Sequence, residues 1–315
     1  SSNANACGPH APTVQALRTL DARHYPDPAY TALTAQLAAW HGVAPARVVI
    51  AASGSEFIQR ISVAVALQAG QGASVWLPAH AYGDYARAAR AAGLARVDDA
   101  ADAALLWACE PSSPLGQAQA GLTAKVAALR PGQALVLDQA YEPLRLSGAP
   151  SLDAAALDSV WRLVTPNKAL GLTGVRAAYA IAPAAAVTDG SAAALRALAP
   201  SWPLGVDGVA LLSAWVQADT QDWLAQSLAT LRQWKAAQLR LCADLGWAVL
   251  PGSLANFFTA RPPVPDLAAA LQALRAQGIK LRDCASFGLA GHVRLGVLAP
   301  AAQRALAAAW RQWAP

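Results

Sequence analysis

The chain has 315 residues, 55% of them hydrophobic and 14% charged, with a formal net charge of +5. That supports one large core or two smaller ones, and the scattered, Arg-rich and Lys-poor charges suit small anionic ligands better than a nucleic-acid face. Cys7, Cys109, Cys242 and Cys284 form no CxxC pair, the five histidines show no metal-ligand spacing, and no apolar run reaches membrane-spanning length uninterrupted; this argues against a zinc site, a disulfide framework and a membrane protein, and for a reducing, cytoplasmic setting.

Residues 1–24 open polar and Gly/Pro-punctuated, with a short helix expected over Val14–Leu20. Tyr25-Pro26-Asp27-Pro28 reads as a stiff turn, in which Asp27 caps a helix over Ala29–Trp40, with Pro28 at its first position and Gly42 as its stop. Strands and helices then alternate. Strands are expected at Arg47–Ala52, Ala73–Leu77, Ala103–Ala108, Ala134–Leu137, Val160–Val164 and Ala178–Ile181. Helices are expected from Gly54 to Gln68, over Tyr82–Ala92 and over Leu122–Leu129. This β–α alternation predicts an α/β fold with a mostly parallel sheet covered by helices.

The pattern changes near Pro200–Gly205. Helices follow over Val206–Ala218 and Gln221–Leu245, then strands Ala248–Leu250 and Ala255–Ala260, helix Asp266–Gln277, strand His292–Val297 and helix Ala301–Trp313. The expectation is an N-terminal segment (1–24), a large domain (25–205) and a smaller α+β domain (206–315) carrying a long interdomain helix.

Lysine occurs only at 125, 168, 235 and 280. Lys168 alone follows a buried-looking strand, where an ammonium is expensive unless it is used. A surface-loop lysine capping the next helix fits that stretch equally well. Other polar residues fall at strand ends, where ligands gather in parallel sheets. Asp138 closes an apolar run and Tyr141 follows three residues on. Gly54-Ser55-Glu56 places amides and a hydroxyl at a helix start, which suits a phosphate, although an ordinary capped turn explains it too. Tyr82 begins a helix after a strand and, taken singly, reads as packing.

Together these residues resemble the fold-type-I, pyridoxal-phosphate-dependent aminotransferases, in order and over nearly the whole chain. Thr165-Pro166-Asn167-Lys168 through Leu172, Gly174 and Arg176 is similar to the family's S/T-x-S-K-x-x-x-L-x-G-x-R, and Asp138-Gln139-Ala140-Tyr141 to its D-x-A-Y. The resemblance implies that Lys168 is the Schiff-base lysine and that Asp138 pairs with the cofactor's pyridinium nitrogen. It implies that Tyr141 bonds the phenolic oxygen, that Tyr82 stacks on the ring, and that Arg176, Thr165, Ser55 and the Glu56 amide hold the phosphate. Two departures are visible. Ser113, in Glu110-Pro111-Ser112-Ser113-Pro114, stands where the family has an asparagine that donates to the phenolic oxygen, and Asn167 replaces the usual serine before the lysine. A serine hydroxyl is shorter but can still donate.

Within the superfamily, Tyr25-Pro26-Asp27-Pro28, the Asn3/Asn5 start and the Arg294 strand resemble histidinol-phosphate aminotransferases and threonine-phosphate decarboxylases alike. In both, the first tyrosine of that turn reaches the partner subunit's cofactor phosphate, which implies a homodimer with shared sites. The stretch 278–295 looks more like the decarboxylase ending, so decarboxylation of L-threonine O-3-phosphate, as in cobalamin biosynthesis, is the expected activity. Transamination of the histidinol-phosphate type is the alternative. A non-catalytic sensor is disfavoured, because Lys168 is present and no DNA-binding domain accompanies the fold. Arg294 is expected to bind a substrate carboxylate, and Asn3, Asn5 and Arg282 a distal phosphate.

Overall fold

The computed structural model describes residues 3–313. In chain order the elements are α1 (Ala11–Arg18), α2 (Thr31–His41), β1 (Val48–Ala51), α3 (Gly54–Ala69), β2 (Ser74–Trp76), α4 (Gly83–Ala91), β3 (Ala95–Val97), β4 (Leu105–Cys109), α5 (Leu122–Ala127), β5 (Ala134–Asp138), α6 (Ala154–Leu157), β6 (Trp161–Val164) and β7 (Ala178–Ile181). They continue with α7 (Ser191–Ala197), α8 (Val206–Trp215), α9 (Ala218–Asp244), β8 (Ala248–Val249), β9 (Phe257–Arg261), α10 (Leu267–Ala276), β10 (Arg282–Asp283), β11 (Val293–Gly296) and α11 (Pro300–Trp313).

The first seven strands form one sheet in the order β1-β7-β6-β5-β4-β2-β3. The pairings among β2 to β6 are parallel, and β7 runs antiparallel to both of its neighbours. Both faces are covered, which explains the nearly unbroken apolar strand sequences. In β5, Val136 enters the core under α3 and α4, while Leu135 and Leu137 enter the core under α5 and α6. The remaining strands make an antiparallel sheet in the order β10-β11-β9-β8. Its core includes Phe258, Leu274, Val293 and an edge-on Trp247–Trp310 pair with ring centroids 4.7 Å apart.

Helix α9 has 27 residues, about 40 Å at the standard rise. Its Leu224 and Leu231 pack with α8 and α2 on the large sheet, and its Cys242 packs in the small-sheet core. The changeover between the two cores therefore falls inside α9, beyond the 205/206 division read from the sequence. A continuous helix spanning both cores leaves no composition break to read.

Three local expectations are corrected. Helix α2 does not start at Pro28. Asp27 accepts from the amides of Ala29 (3.0 Å) and Thr31 (2.7 Å), and Tyr30 precedes the helix with φ 49°. That turn buries Tyr30, whose hydroxyl donates to the Leu204 carbonyl at 2.9 Å. Tyr82 lies just outside α4 as its N-cap. Strands β3 and β10 and helices α6 and α7 were not expected; the strands are two- or three-residue edge pieces, and the helices are short runs dominated by alanine, too short or too uniform for periodicity to register.

Candidate active site

The carboxyl ends of β4, β5 and β6 meet the N-termini of α3 and α4. Asp138 ends β5, in register with Cys109 on β4 and Leu163 on β6. Its carboxylate is buried: Oδ1 accepts from the Ala140 amide at 2.9 Å and Oδ2 accepts from the Tyr85 hydroxyl at 2.6 Å. Lys168 follows β6, with Nζ 5.1 Å from the centroid of the Tyr141 ring. Burial lowers the Lys168 pKa from its ordinary value; Asp138 and Cys109 oppose this shift, and Arg294 and Arg176 reinforce it. The Tyr141 ring packs edge-on against Phe257, and its hydroxyl accepts from Asn3 Nδ2 at 3.4 Å.

Helix α3 begins with a reciprocal cap. Ser53 Oγ accepts from the Glu56 amide at 3.1 Å, and Glu56 Oε2 accepts from the Ala52 amide at 3.0 Å. The Glu56 amide, expected to face a phosphate, is thus taken by the cap, and the amides of Gly54 and Ser55 remain at the open end of the helix. Ser55 Oγ donates to Asp84 Oδ2 at 2.6 Å, so this hydroxyl is turned to α4. A Cβ on Gly54 would lie 3.0 Å from Thr165 Cγ2, so only glycine lets the helix start approach Thr165 this closely. Thr165 Oγ1 is buried and has no hydrogen-bond partner. Arg176 is exposed and close enough to Lys168 to influence its titration.

Arg294, from β11, reaches into the same region. Its Nη1 donates to Ser113 Oγ at 2.9 Å, its Nε is enclosed without an acceptor, and its Cζ lies 5.4 Å from the Phe257 ring and 5.7 Å from the Phe287 ring. The Ser113 oxygen accepts this bond, which leaves its own O–H free to donate. Arg282 pairs with Arg294 across β10 and β11, lies over the Phe287 ring at 5.1 Å, and is exposed, donating to Ser286 Oγ at 2.7 Å.

Asn3 is buried beside Tyr141, and its Oδ1 lacks a partner. Asn5 is different: its amide donates to the Lys168 carbonyl (2.9 Å), its Nδ2 to the Ala169 carbonyl (3.1 Å), and its Oδ1 accepts from the Cys7 amide (2.9 Å). These bonds bolt the N-terminal segment to the lysine loop and turn Asn5 away from the ligand role expected of it. Tyr25 is 77% exposed and stacks on Trp202 with centroids 4.5 Å apart; no contact joins it to Lys168, Asp138 or Tyr141. Tyr82 is 41% exposed and meets Tyr85 edge-on at 5.7 Å.

The sequence reading missed Tyr85 and Cys109. Tyr85 is fully buried, stacked on Trp107 at 4.2 Å, and points its hydroxyl at Asp138. Its only sequence signal is its place on the buried face of α4, which any core aromatic would share.

A lysine, a buried carboxylate, a helix start and an arginine converging in this way define a cofactor-dependent enzyme of amine chemistry. The class I and II aminotransferase family model matches residues 8–309, and the chain belongs to that family. A histidinol-phosphate aminotransferase from Ruegeria pomeroyi is 30% identical, over 99% of this chain and 89% of that protein; one from Burkholderia mallei is 29% identical, over 92% and 83%. Among solved structures, the histidinol-phosphate aminotransferase of Sinorhizobium meliloti in complex with pyridoxal 5'-phosphate superposes with a TM-score of 0.81 at 24% identity, covering 99% of this chain and 90% of that one. The L-threonine-O-3-phosphate decarboxylase of Porphyromonas gingivalis superposes at 0.78 with 19% identity, covering 96% and 93%. At these identities the superpositions establish the fold, which is fold type I.

The cofactor is pyridoxal phosphate, and the side chains fit it. Thr165 Oγ1, Asn167 Oδ1, Asn3 Oδ1 and Arg294 Nε are all buried without hydrogen-bond partners, clustered about Lys168. Such atoms cost free energy unless a ligand satisfies them. The glycine-lined start of α3 beside Thr165 suits a phosphate, and the carboxylate of Asp138 suits a protonated ring nitrogen.

Proposed function

We propose that the protein is an aminotransferase of the histidinol-phosphate type, acting on a small phosphorylated primary amine as a homodimer with shared sites. The observation that carries this reading is the Lys168–Asp138–Arg294 convergence, in a chain aligned over nearly its whole length with relatives bearing that name. Those relatives move the reading away from the decarboxylase expected from the 278–295 stretch.

Pyridoxal phosphate, when bound, supplies the electron sink for charge developing at the substrate Cα. Asp138 presents a carboxylate to the ring nitrogen, oriented by Tyr85 and the Ala140 amide. Tyr82 is positioned at the rim to cover one ring face. Lys168 Nζ, its basicity reduced by burial, removes the Cα proton and returns it on the other side of the reaction. Arg294, braced by Ser113 and two phenylalanine rings, takes the carboxylate of the amino-acid co-substrate as a bidentate pair. Gly54, Ser55, Thr165 and Arg176 hold the cofactor phosphate, and Asn3 and Arg282 bear on the distal end of the substrate. Tyr25, exposed and unconnected to its own site, is available to complete the partner's phosphate pocket.

A second reading, decarboxylation of L-threonine O-3-phosphate, draws on the same Arg294. Histidinol phosphate carries no carboxylate, whereas an amino-acid phosphate would engage this arginine in its only substrate. The two outcomes differ in whether Cα loses CO₂ or a proton, so the way Arg294 orients the substrate carboxylate would separate them. Incubating holoenzyme with histidinol phosphate and 2-oxoglutarate should release glutamate. CO₂ from L-threonine O-3-phosphate with no glutamate from the first mixture would reverse the choice. A protein that develops no visible absorbance with pyridoxal phosphate, or one whose band survives Lys168→Ala, would sink both.

A further inference from the structure

Arg162 has no hydrogen-bonding or ion-pair partner among the described residues. It sits in β6 between Trp161 and Leu163, which enter the core under α3, so its side chain emerges on the opposite face, beside Val164 and Tyr179. Its Nε is fully enclosed without an acceptor. Three other arginines also have an enclosed nitrogen without a hydrogen bond. Arg47 Nη2 lies 2.8 Å from Asp158, and Arg60 Nε lies 2.8 Å from Glu56, so both are neutralised. The third is Arg294, in the Lys168 site, where the free donor faces the place of a substrate anion. Arg162 is in the same chemical condition with no active site around it. A half-buried guanidinium left unpaired is costly, and an incoming anion would offset that cost.

Arg162 opens on a cavity of about 350 Å³ whose walls include Trp40, His41, Glu142, Tyr179 and Trp215, with Leu224 and Leu228 from α9. The carboxylates nearby are committed elsewhere. Glu142 is gripped by Arg145 Nε and Nη2 at 2.7–3.0 Å, and Asp158 is held by Arg47. Tyr179 bonds His41 Nε2 at 2.8 Å and accepts from Trp215 Nε1 at 3.2 Å, which fixes this wall. Burial and the neighbouring Arg162 push the His41 pKa down to about 4, so the imidazole is neutral at pH 7 and Arg162 supplies the charge. Apart from Arg162 and the Glu142 carboxylate, whose charge is answered by Arg145, the lining is mostly aromatic and aliphatic, with Trp40 half exposed.

We propose that this cavity is a second binding site, separate from the Lys168 pocket, for a small organic carboxylate with a flat apolar body. The carboxylate pairs with Arg162 and the flat body lies among the tryptophans and leucines. The volume is near the lower end of the range for small-molecule pockets, roughly 300–1,000 Å³, which limits the occupant to about one or two rings.

The test is calorimetric titration of the cofactor-loaded protein with benzoate, with benzyl alcohol as its neutral counterpart and inorganic phosphate as an anion without a flat body. Benzoate should bind, and the other two should bind at least roughly tenfold more weakly. Arg162→Gln should weaken benzoate by about tenfold or more, and Arg294→Gln should leave a benzoate site intact. Trp40→Ala, at the exposed rim, should weaken benzoate several-fold, and it decides the matter if Arg162→Gln does not fold. The proposal is overturned if benzoate fails to bind, if its affinity is unchanged in the Arg162 or Trp40 variant, or if Arg294→Gln abolishes binding. Equal affinity for phosphate or benzyl alcohol overturns it as well.

Discussion

Tyr85 Oη stands 2.6 Å from Asp138 Oδ2, in a hydrogen bond buried between the central sheet and α4. Both ends are fixed: the Tyr85 ring is stacked on Trp107, and the other Asp138 oxygen is held by the Ala140 amide. Burial and the Asp138 charge raise the Tyr85 pKa well above its ordinary value, so the tyrosine is a permanent donor. With a donor on each oxygen, the Asp138 carboxylate is held in one orientation. On the proposed pairing of Asp138 with the cofactor ring nitrogen, Tyr85 would act through Asp138, as a positioning residue.

Replacing Tyr85 with Phe keeps the ring stack and deletes that donor. A hydrogen bond to a charged group is worth about 1.5–3 kcal/mol, so kcat/KM should fall by roughly 10- to 100-fold with the cofactor still bound. The visible spectrum of the bound cofactor, titrated against pH, should shift in Tyr85→Phe as its ring nitrogen loses basicity. An unchanged titration with normal turnover would remove Tyr85 from this role.

Gly54→Ala puts a methyl 3.0 Å from Thr165 Cγ2. The helix start or the threonine must move, at the place proposed for the cofactor phosphate. The expected result is cofactor affinity about tenfold weaker, read by absorbance titration of apoprotein, with little change in thermal stability. Full affinity in this variant would show that the close approach is packing alone.

Glu110 is buried and fully occupied. It pairs with Arg145 Nη2 at 3.0 Å and accepts from the amides of Ser151 (2.8 Å) and Gln119 (3.0 Å) and from Ser151 Oγ (2.8 Å). This network ties down the turn that carries Ser113. Removing one partner of a buried pair strands the other, so Glu110→Ala should cost about 3–5 kcal/mol in denaturant unfolding. A loss below about 1 kcal/mol would mean that Arg145 is satisfied by Glu142 alone.

His41 gives the stability a pH dependence of known sign. Its pKa is depressed to about 4 in the folded protein from an ordinary 6.5. Between those values the unfolded chain binds more protons, so stability falls as pH drops through 6.5 toward 4 and then levels off. The full effect is of order 3 kcal/mol. His41→Gln should flatten the pH 4–6.5 limb of the stability profile, and an unaltered limb would assign it to other groups.

The candidate residues were readable without coordinates as polar groups at or just beyond apolar runs that read as buried strands. Asp138 after Ala134–Leu137 and Lys168 after Val160–Val164 are of this kind, whereas the need for glycine at 54 comes from the approach of Thr165, which only the fold brings about. Arg294 was legible from its strand and its resemblance to a family pattern. Asn5, expected to hold a phosphate, has its side chain on the Ala169 carbonyl and the Cys7 amide: an asparagine bonds a phosphate or backbone groups equally well, and only the fold decides which is near.

The sequence by itself determined the α/β alternation, which follows from local periodicity, and the cofactor through its resemblance to a known family, carried by motifs a few residues long. Tertiary structure alone decided the rest. Tyr85 meets Asp138 from 53 positions away, Arg294 meets Ser113 from 181 away, and the packing of α2, α8 and α9 leaves Arg162 without a partner among the described residues. Such relationships depend on which surfaces the chain brings together, and burial fixes their strength by removing the water that would otherwise answer each polar group.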